Sequence, residues 1–147
     1  MERYLHGHII NDLRKKMVFI TGPRQVGKTF FSKSIKGEFK KPVYLNEDDI
    51  SDIQIIRKLA WPLNADLVIL DEIHKMKGWK VFLKGTFDTR PDAQSFLVTG
   101  SARFDTFRQT GDSLAGRYFL YRLNPLSVKE LSGAMTPYEA LSALNRL

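Results

Sequence analysis

One segment restricts this chain more than any other. Gly22-Pro23-Arg24-Gln25-Val26-Gly27-Lys28-Thr29 fits G-x-x-x-x-G-K-[ST], directly after the apolar run Met17-Val18-Phe19-Ile20-Thr21 and ahead of a helical stretch. From the chain's own content of Gly, Lys, Ser and Thr, a chance match of this kind arises in roughly 1 of 150 chains of this length, before the strand-loop-helix context is counted. The chemistry explains the residue types. Glycines let the backbone take positive φ and approach an anion closely, so that successive amide N–H groups wrap phosphate oxygens. Lys28 supplies a mobile point charge for the β and γ phosphates, Thr29 offers its hydroxyl to Mg²⁺, and the helix that follows adds the positive end of its dipole. The loop from Gly22 to Thr29, with Phe30 next to it, is the expected ATP-binding segment.

Five short runs rich in β-branched or aromatic residues read as strands: Met17 to Thr21, Pro42 to Leu45, Leu67 to Leu70, Ser95 to Thr99 and Tyr118 to Tyr121. Three are apolar without alternation, as strands covered on both faces must be. Helical spacing falls between them: Ile53, Ile56 and Ala60 within Asp48 to Ala60, and Trp79, Phe82, Leu83 and Phe87 further on. Strands alternating with helices indicate βαβ crossovers, hence an α/β fold with a doubly wound parallel sheet and helices on both faces. After the fifth strand, Ser127-Val128-Lys129-Glu130 has the spacing of a capping box, and a further short helix is expected near Pro137. The apolar stripe of Leu141 and Leu144 has little left to pack against, so that end reads as cut.

A phosphate loop needs a carboxylate for its metal, and Leu67-Val68-Ile69-Leu70-Asp71-Glu72 provides an apolar strand ending in two acids. Asp71 is expected to hold Mg²⁺ and Glu72 to polarise the water that attacks the γ-phosphate. The fourth strand ends in Thr99-Gly100-Ser101, short hydroxyls at the same sheet edge, suited to sensing the γ-phosphate or to capping the next helix. Arg117 before the fifth strand, or Arg103, could reach a γ-phosphate in the same molecule or in a neighbouring subunit. His6, His8 and His74 show no spacing that suggests a metal site.

Composition narrows the classes. The chain has 147 residues, no cysteine, 43% hydrophobic and 27% charged residues, which excludes disorder and a disulfide scaffold and suits one domain. No apolar run approaches the ~20 residues of a membrane span, and the N-terminal stretch carries Glu2, Arg3 and two histidines in place of a signal-type core, so a cytoplasmic location with no membrane partner is expected. Lys plus Arg number 23 against 16 acids, a net +7 that favours anionic partners. The charges are scattered, so a solvated surface explains them and DNA stays an open partner.

With these residues in place, the chain resembles the AAA-type ATP-binding domain at the N-terminus of a large family of prokaryotic ATPases within the AAA+ superfamily. Beyond the loop, the resemblance rests on Leu70 to Lys75, Gly78-Trp79, Thr99 to Ser101, Ser113 to Arg117 and Leu123 to Ser127, in that order, and covers about Tyr4 to Leu131. It implies a P-loop NTPase fold with strand order 5-1-4-3-2, and Gly22 to Thr29 as the Walker A loop. It further implies Asp71 as the Walker B metal residue, Glu72 as the catalytic glutamate, and Ser101 or Thr99 as the first sensor. Arg117 stands where many such proteins carry an arginine finger. Such proteins continue into a helical lid, so residues 1–131 are expected to form the nucleotide-binding domain and 132–147 the start of a helical region. The sensor-2 arginine of that lid is not assigned to any residue here, and weak turnover by this segment alone is expected.

The expected function is binding of Mg-ATP and hydrolysis to ADP and phosphate, with Glu72, Lys28, Ser101 and Arg117 as the catalytic set and a homo-oligomer and an unknown protein as partners. Two other readings stay open. One is a non-enzymatic switch in which ATP or ADP occupancy changes affinity for a protein or DNA. The other is a small-molecule kinase, which the adjacent Asp71-Glu72 pair disfavours because an acid poised to activate water would waste ATP.

Overall fold

The computed structural model describes residues 6–22, 28–100 and 114–123. Five strands form one sheet: β1 Met17–Thr21, β2 Pro42–Asn46, β3 Leu67–Asp71, β4 Ser95–Gly100 and β5 Tyr118–Arg122. They pair in the order β2-β3-β4-β1-β5, all parallel. This is the expected order, 5-1-4-3-2, counted from the other edge. Each expected strand is present, and four of them run one residue further than the expected runs, because the residue at the end still pairs. Asn46, for example, sits opposite Asp71.

Side-chain alternation splits the interior into two cores, one on each face. Phe19, Val68, Leu70, Phe96 and Val98 point to the face covered by α3 (Ile50–Arg57) and α4 (Trp79–Asp88), through Ile56 and Leu83. Val18, Ile20, Leu67, Ile69 and Leu97 point to the other face, covered by α1 (His6–Leu13) and α2 (Lys28–Ile35), through Ile9, Leu13, Phe31 and Ile35. Burial on both sides is why β1 and β3 carry no polar residue before their last position: every residue of both is buried. The chain leaves β1 for the far edge at β2, returns through β3 and β4, and crosses β1 to reach β5. The carboxyl ends of β1, β3 and β4 therefore border the point where strand order reverses, where doubly wound sheets bind ligands.

Helix ends show where local sequence was not decisive. The expected stretch Asp48 to Ala60 is helical only from Ile50 to Arg57. Asp49 caps its start, accepting from the amides of Ser51 and Asp52. The end is closed by Leu59 in the left-handed region at φ 51°, with the Leu59 amide donating to Ile56 O at 3.1 Å and the Ala60 amide to Ile55 O at 2.9 Å. Ala60 is thus past the helix and exposed, and Ile56 is the residue of the expected stripe that is fully buried. In α4, Gly78 takes φ 75° just before Trp79, a turn that suits glycine, and Leu83 carries the burial with Trp79, Phe82 and Phe87 beside it. No described helix is long and apolar enough to cross a membrane.

Candidate functional site

The carboxyl edge of the sheet gathers most of the expected site. β1 delivers the chain to Gly22, and α2 begins at Lys28, so the loop motif brackets the end of a central strand. Pro23 to Gly27 lie outside the described residues, as does the side chain of Phe30; Gly22, Lys28 and Thr29 are described. Lys28 is buried at the first position of α2, and its Nζ donates to Gly22 O at 2.6 Å across the loop. Desolvation lowers its pKa below the ordinary lysine value, while the nearby charges of Glu72 and then Asp71 act in the opposite direction. An ammonium short of solvent gains from an anionic partner, and a divalent cation between the acids and a polyphosphate would relieve the repulsion between them.

Asp71 is the hub. It ends β3, is wholly buried, and its two carboxylate oxygens accept hydroxyls from three different elements. Thr29 Oγ1 on α2 donates to Oδ2 at 2.9 Å. Tyr44 OH on β2 donates to the same oxygen, and Thr99 Oγ1 on β4 donates to Oδ1. The order of strands explains this convergence, because β3 has β2 on one side and β4 on the other. Burial, the Asp71 bond and the Asp71 charge push the Tyr44 phenol well above its usual range, so it stays a proton donor. Asn46 Nδ2 lies 3.4 Å from Tyr44 OH.

Glu72 follows in the left-handed region, φ 59° and ψ 30°, which turns the chain sharply out of β3. A non-glycine residue held there costs roughly 1–2 kcal/mol and is worth attention at a site. Its Oε2 lies 3.5 Å from His74 Nε2 and 3.8 Å from Lys75 Nζ, and Lys75 also reaches Asp48 Oδ1 at 2.6 Å. Lys75 is about half exposed, so its pairs contribute at most about 1 kcal/mol: they aim the Glu72 carboxylate without locking it.

The structure thus brings Gly22, Lys28, Thr29, Asp71, Glu72 and Thr99 to one edge. It does not bring Arg117 there. The Arg117 carbonyl accepts from the Met17 amide at 3.0 Å, at the amino end of β1, and five residues at ~3.3 Å each put it roughly 15 Å from the loop. Its guanidinium forks onto Asp88 at the end of α4, Nε to Oδ1 at 2.8 Å and Nη2 to Oδ2 at 3.1 Å. Reach to a γ-phosphate in the same molecule is therefore closed to it. Gly116, at φ 79°, makes the turn that sets Arg117 at this corner. Ser101, Arg103, the capping box at Ser127 and the helix expected near Pro137 lie outside the described residues.

Tyr44 is the site residue that sequence reasoning missed. Its one visible signal is a phenol in an otherwise apolar strand; its partner stands 27 positions away and becomes a neighbour only through the pairing of β2 with β3.

A Lys at a loop after the central strand, a hydroxyl next to it and a buried acid on the strand two places over form the arrangement that the family comparison then names. The family model described as AAA domain matches residues 14–132. The chain belongs to the AAA-domain family. Two uncharacterised proteins, from Mycobacterium bovis and Mycobacterium tuberculosis, are each 29% identical over 126 residues, covering 82% of this chain and 28% of theirs. The chain therefore spans little more than a quarter of the length of these curated relatives. Among solved structures, two single-substitution variants of RuvB from Thermotoga maritima share the fold. Both have a TM-score of 0.55; one is 18% identical over 97% of this chain and 49% of its own, the other 19% over 88% and 44%. The AAA domain described here is an ATP-binding domain of the P-loop NTPase fold.

Proposed function

We propose that this AAA domain binds Mg-ATP at the carboxyl edge of the sheet and hydrolyses it to ADP and phosphate. The observation that carries this reading is the Thr29–Asp71 hydrogen bond of 2.9 Å, which joins the residue after the loop lysine to the buried acid of β3. A hydroxyl and a carboxylate held together are hard oxygen donors of the kind Mg²⁺ prefers, so the residues present fit that ion. When bound, Mg²⁺ neutralises charge on the β and γ phosphates. Thr29 Oγ1 would coordinate it and Asp71 would hold it through its water shell.

The chain's own residues supply the rest. The loop from Gly22 to Thr29 wraps the phosphates: Pro23, which has no N–H, shapes it, and the amide N–H groups of Arg24, Gln25, Val26, Gly27, Lys28 and Thr29, on towards Phe30, donate to the phosphate oxygens. Lys28 Nζ leaves Gly22 O for the γ-phosphate, where it offsets the charge that builds as the terminal phosphoryl group departs. Glu72 orients a water in line with the bond to be broken and takes its proton as the oxygen attacks. Thr99, and Ser101 beside it, sense whether the γ-phosphate is present. Arg117 acts on a neighbouring molecule in a homo-oligomer.

Phosphate release measured beside equilibrium ATP binding tests this. Glu72→Gln is expected to bind ATP within about threefold of wild type and to lose at least about 100-fold in turnover. Equal turnover in the two proteins, or binding by wild type with no phosphate released, would contradict the hydrolytic reading, and the second result would favour a nucleotide-dependent switch.

A further inference from the structure

Asp71 makes more hydrogen bonds than phosphate chemistry requires of it. Its Oδ2 accepts two hydroxyls at once, from Thr29 at 2.9 Å and from Tyr44, while Thr99 occupies Oδ1. A carboxylate on a short side chain rotates freely about its last bond unless donors on different sides fix its plane. Two of these donors come from the strands flanking β3, and the third comes from α2 above them.

The Tyr44 ring is itself held. It lies on the face covered by α1 and α2, opposite Ile69 in the pairing of β2 with β3, with Lys33 Nζ of α2 4.7 Å from its centroid. The ring thus spans two residue levels along the sheet, from Ile69 to Asp71, and delivers the hydroxyl at the carboxyl edge. Packing alone would be served as well by phenylalanine; the hydroxyl is half-buried against a carboxylate and serves that group.

We propose that Tyr44 is a positioning residue for the divalent-cation site, fixing the Asp71 carboxylate through its hydroxyl so that the ion's water shell is met by oxygens already in place. This rests on the reading of Asp71 as the residue that holds Mg²⁺. Thr29 is expected to share itself between Asp71 and the ion, whereas the Tyr44 hydroxyl has protein partners, Asp71 first and then Asn46 and Thr29. Outer-shell partners of this kind typically change metal affinity by 10–100-fold when removed.

The test uses Mn²⁺ as the spin-active substitute for Mg²⁺. Its binding to the protein in the presence of ADP is titrated by electron paramagnetic resonance, and ATP binding is measured separately in EDTA. Tyr44→Phe keeps the ring and its packing. It is expected to weaken Mn²⁺ binding about 10-fold, to leave ATP affinity in EDTA within about twofold, and to leave turnover at saturating Mg²⁺ within about threefold. Asp71→Asn is the reference and is expected to weaken Mn²⁺ binding at least as much as Tyr44→Phe does. If Asp71→Asn weakens Mn²⁺ binding and Tyr44→Phe retains wild-type Mn²⁺ affinity, the role of Tyr44 is overturned while the Mg²⁺ reading of Asp71 stands. If Asp71→Asn binds Mn²⁺ as wild type does, the reading beneath both is wrong. Equal losses in EDTA and in Mn²⁺ would make Tyr44 a general support of the fold and would also overturn the proposal. A variant that is half unfolded weakens an apparent affinity only about twofold, so the expected 10-fold loss separates from lost stability once a melting curve shows the variant mostly folded at the titration temperature.

Discussion

Glu72 is the residue where structure departs most from what local sequence prefers. It sits at φ 59°, one of two described non-glycine residues with positive φ, at the point where β3 ends and the acid pair begins. Such a conformation persists only where the surroundings impose it, and here it turns the carboxylate to His74 and Lys75, close enough for its charge to act on Lys28, while Asp71 stays buried. Glycine accepts this backbone and a β-branched residue does not, so Glu72→Gly is expected to change stability by less than about 0.5 kcal/mol and Glu72→Val to destabilise by more than about 1 kcal/mol. Both lack the carboxylate, so lost ion pairs cancel in the comparison. Thermal or denaturant unfolding of the two variants checks this, and equal midpoints would show that the turn carries no strain. At this scale the sequence was legible where a residue type announces its chemistry, as with Lys28, Thr29, Asp71 and Glu72. It was silent on Tyr44, His74 and Lys75, whose roles depend on neighbours in space.

At the scale of elements, hydrophobic pattern was enough for the strands and weaker for the helices. An all-apolar run such as Val18-Phe19-Ile20 can only be a strand buried on both faces when its flanks are a turn and a glycine loop. The close of α3 could not be read in advance, because Leu59 occupies a left-handed position normally signalled by glycine. Helix α1 was not anticipated either; Ile9 and Leu13, four residues apart and both buried, are a stripe too short to stand out over eight residues. It docks on the sheet face it shares with α2, where Asp12 accepts from the Tyr121 hydroxyl of β5 and Leu13 O accepts from Ser95 Oγ at 2.9 Å. Burial and then the bond to Asp12 push the Tyr121 phenol up to about 12, so this tie between α1 and β5 holds through the neutral range.

Across the whole molecule, parallel strand order does what no local pattern can: it carries the ends of β1, β3 and β4 to one edge and leaves Arg117 on the opposite one. Separation by a full strand length forbids Arg117 from serving its own nucleotide, and its fork onto Asp88 fixes it at a corner of the surface. The remaining way for it to act is in trans, between subunits arranged head to tail. Arg117→Ala is then expected to lose about 1,000-fold in turnover and to recover part of it when mixed with Lys28→Ala subunits, which still carry the arginine. Mixtures no more active than the separate variants would remove the trans role. Every step of the proposed chemistry depends on a triphosphate docking beside Lys28, and equilibrium binding of Mg-ATP to wild type and to Lys28→Ala measures that docking. A loss of about 100-fold or more in Lys28→Ala is the predicted result; the same affinity in both proteins would contradict it.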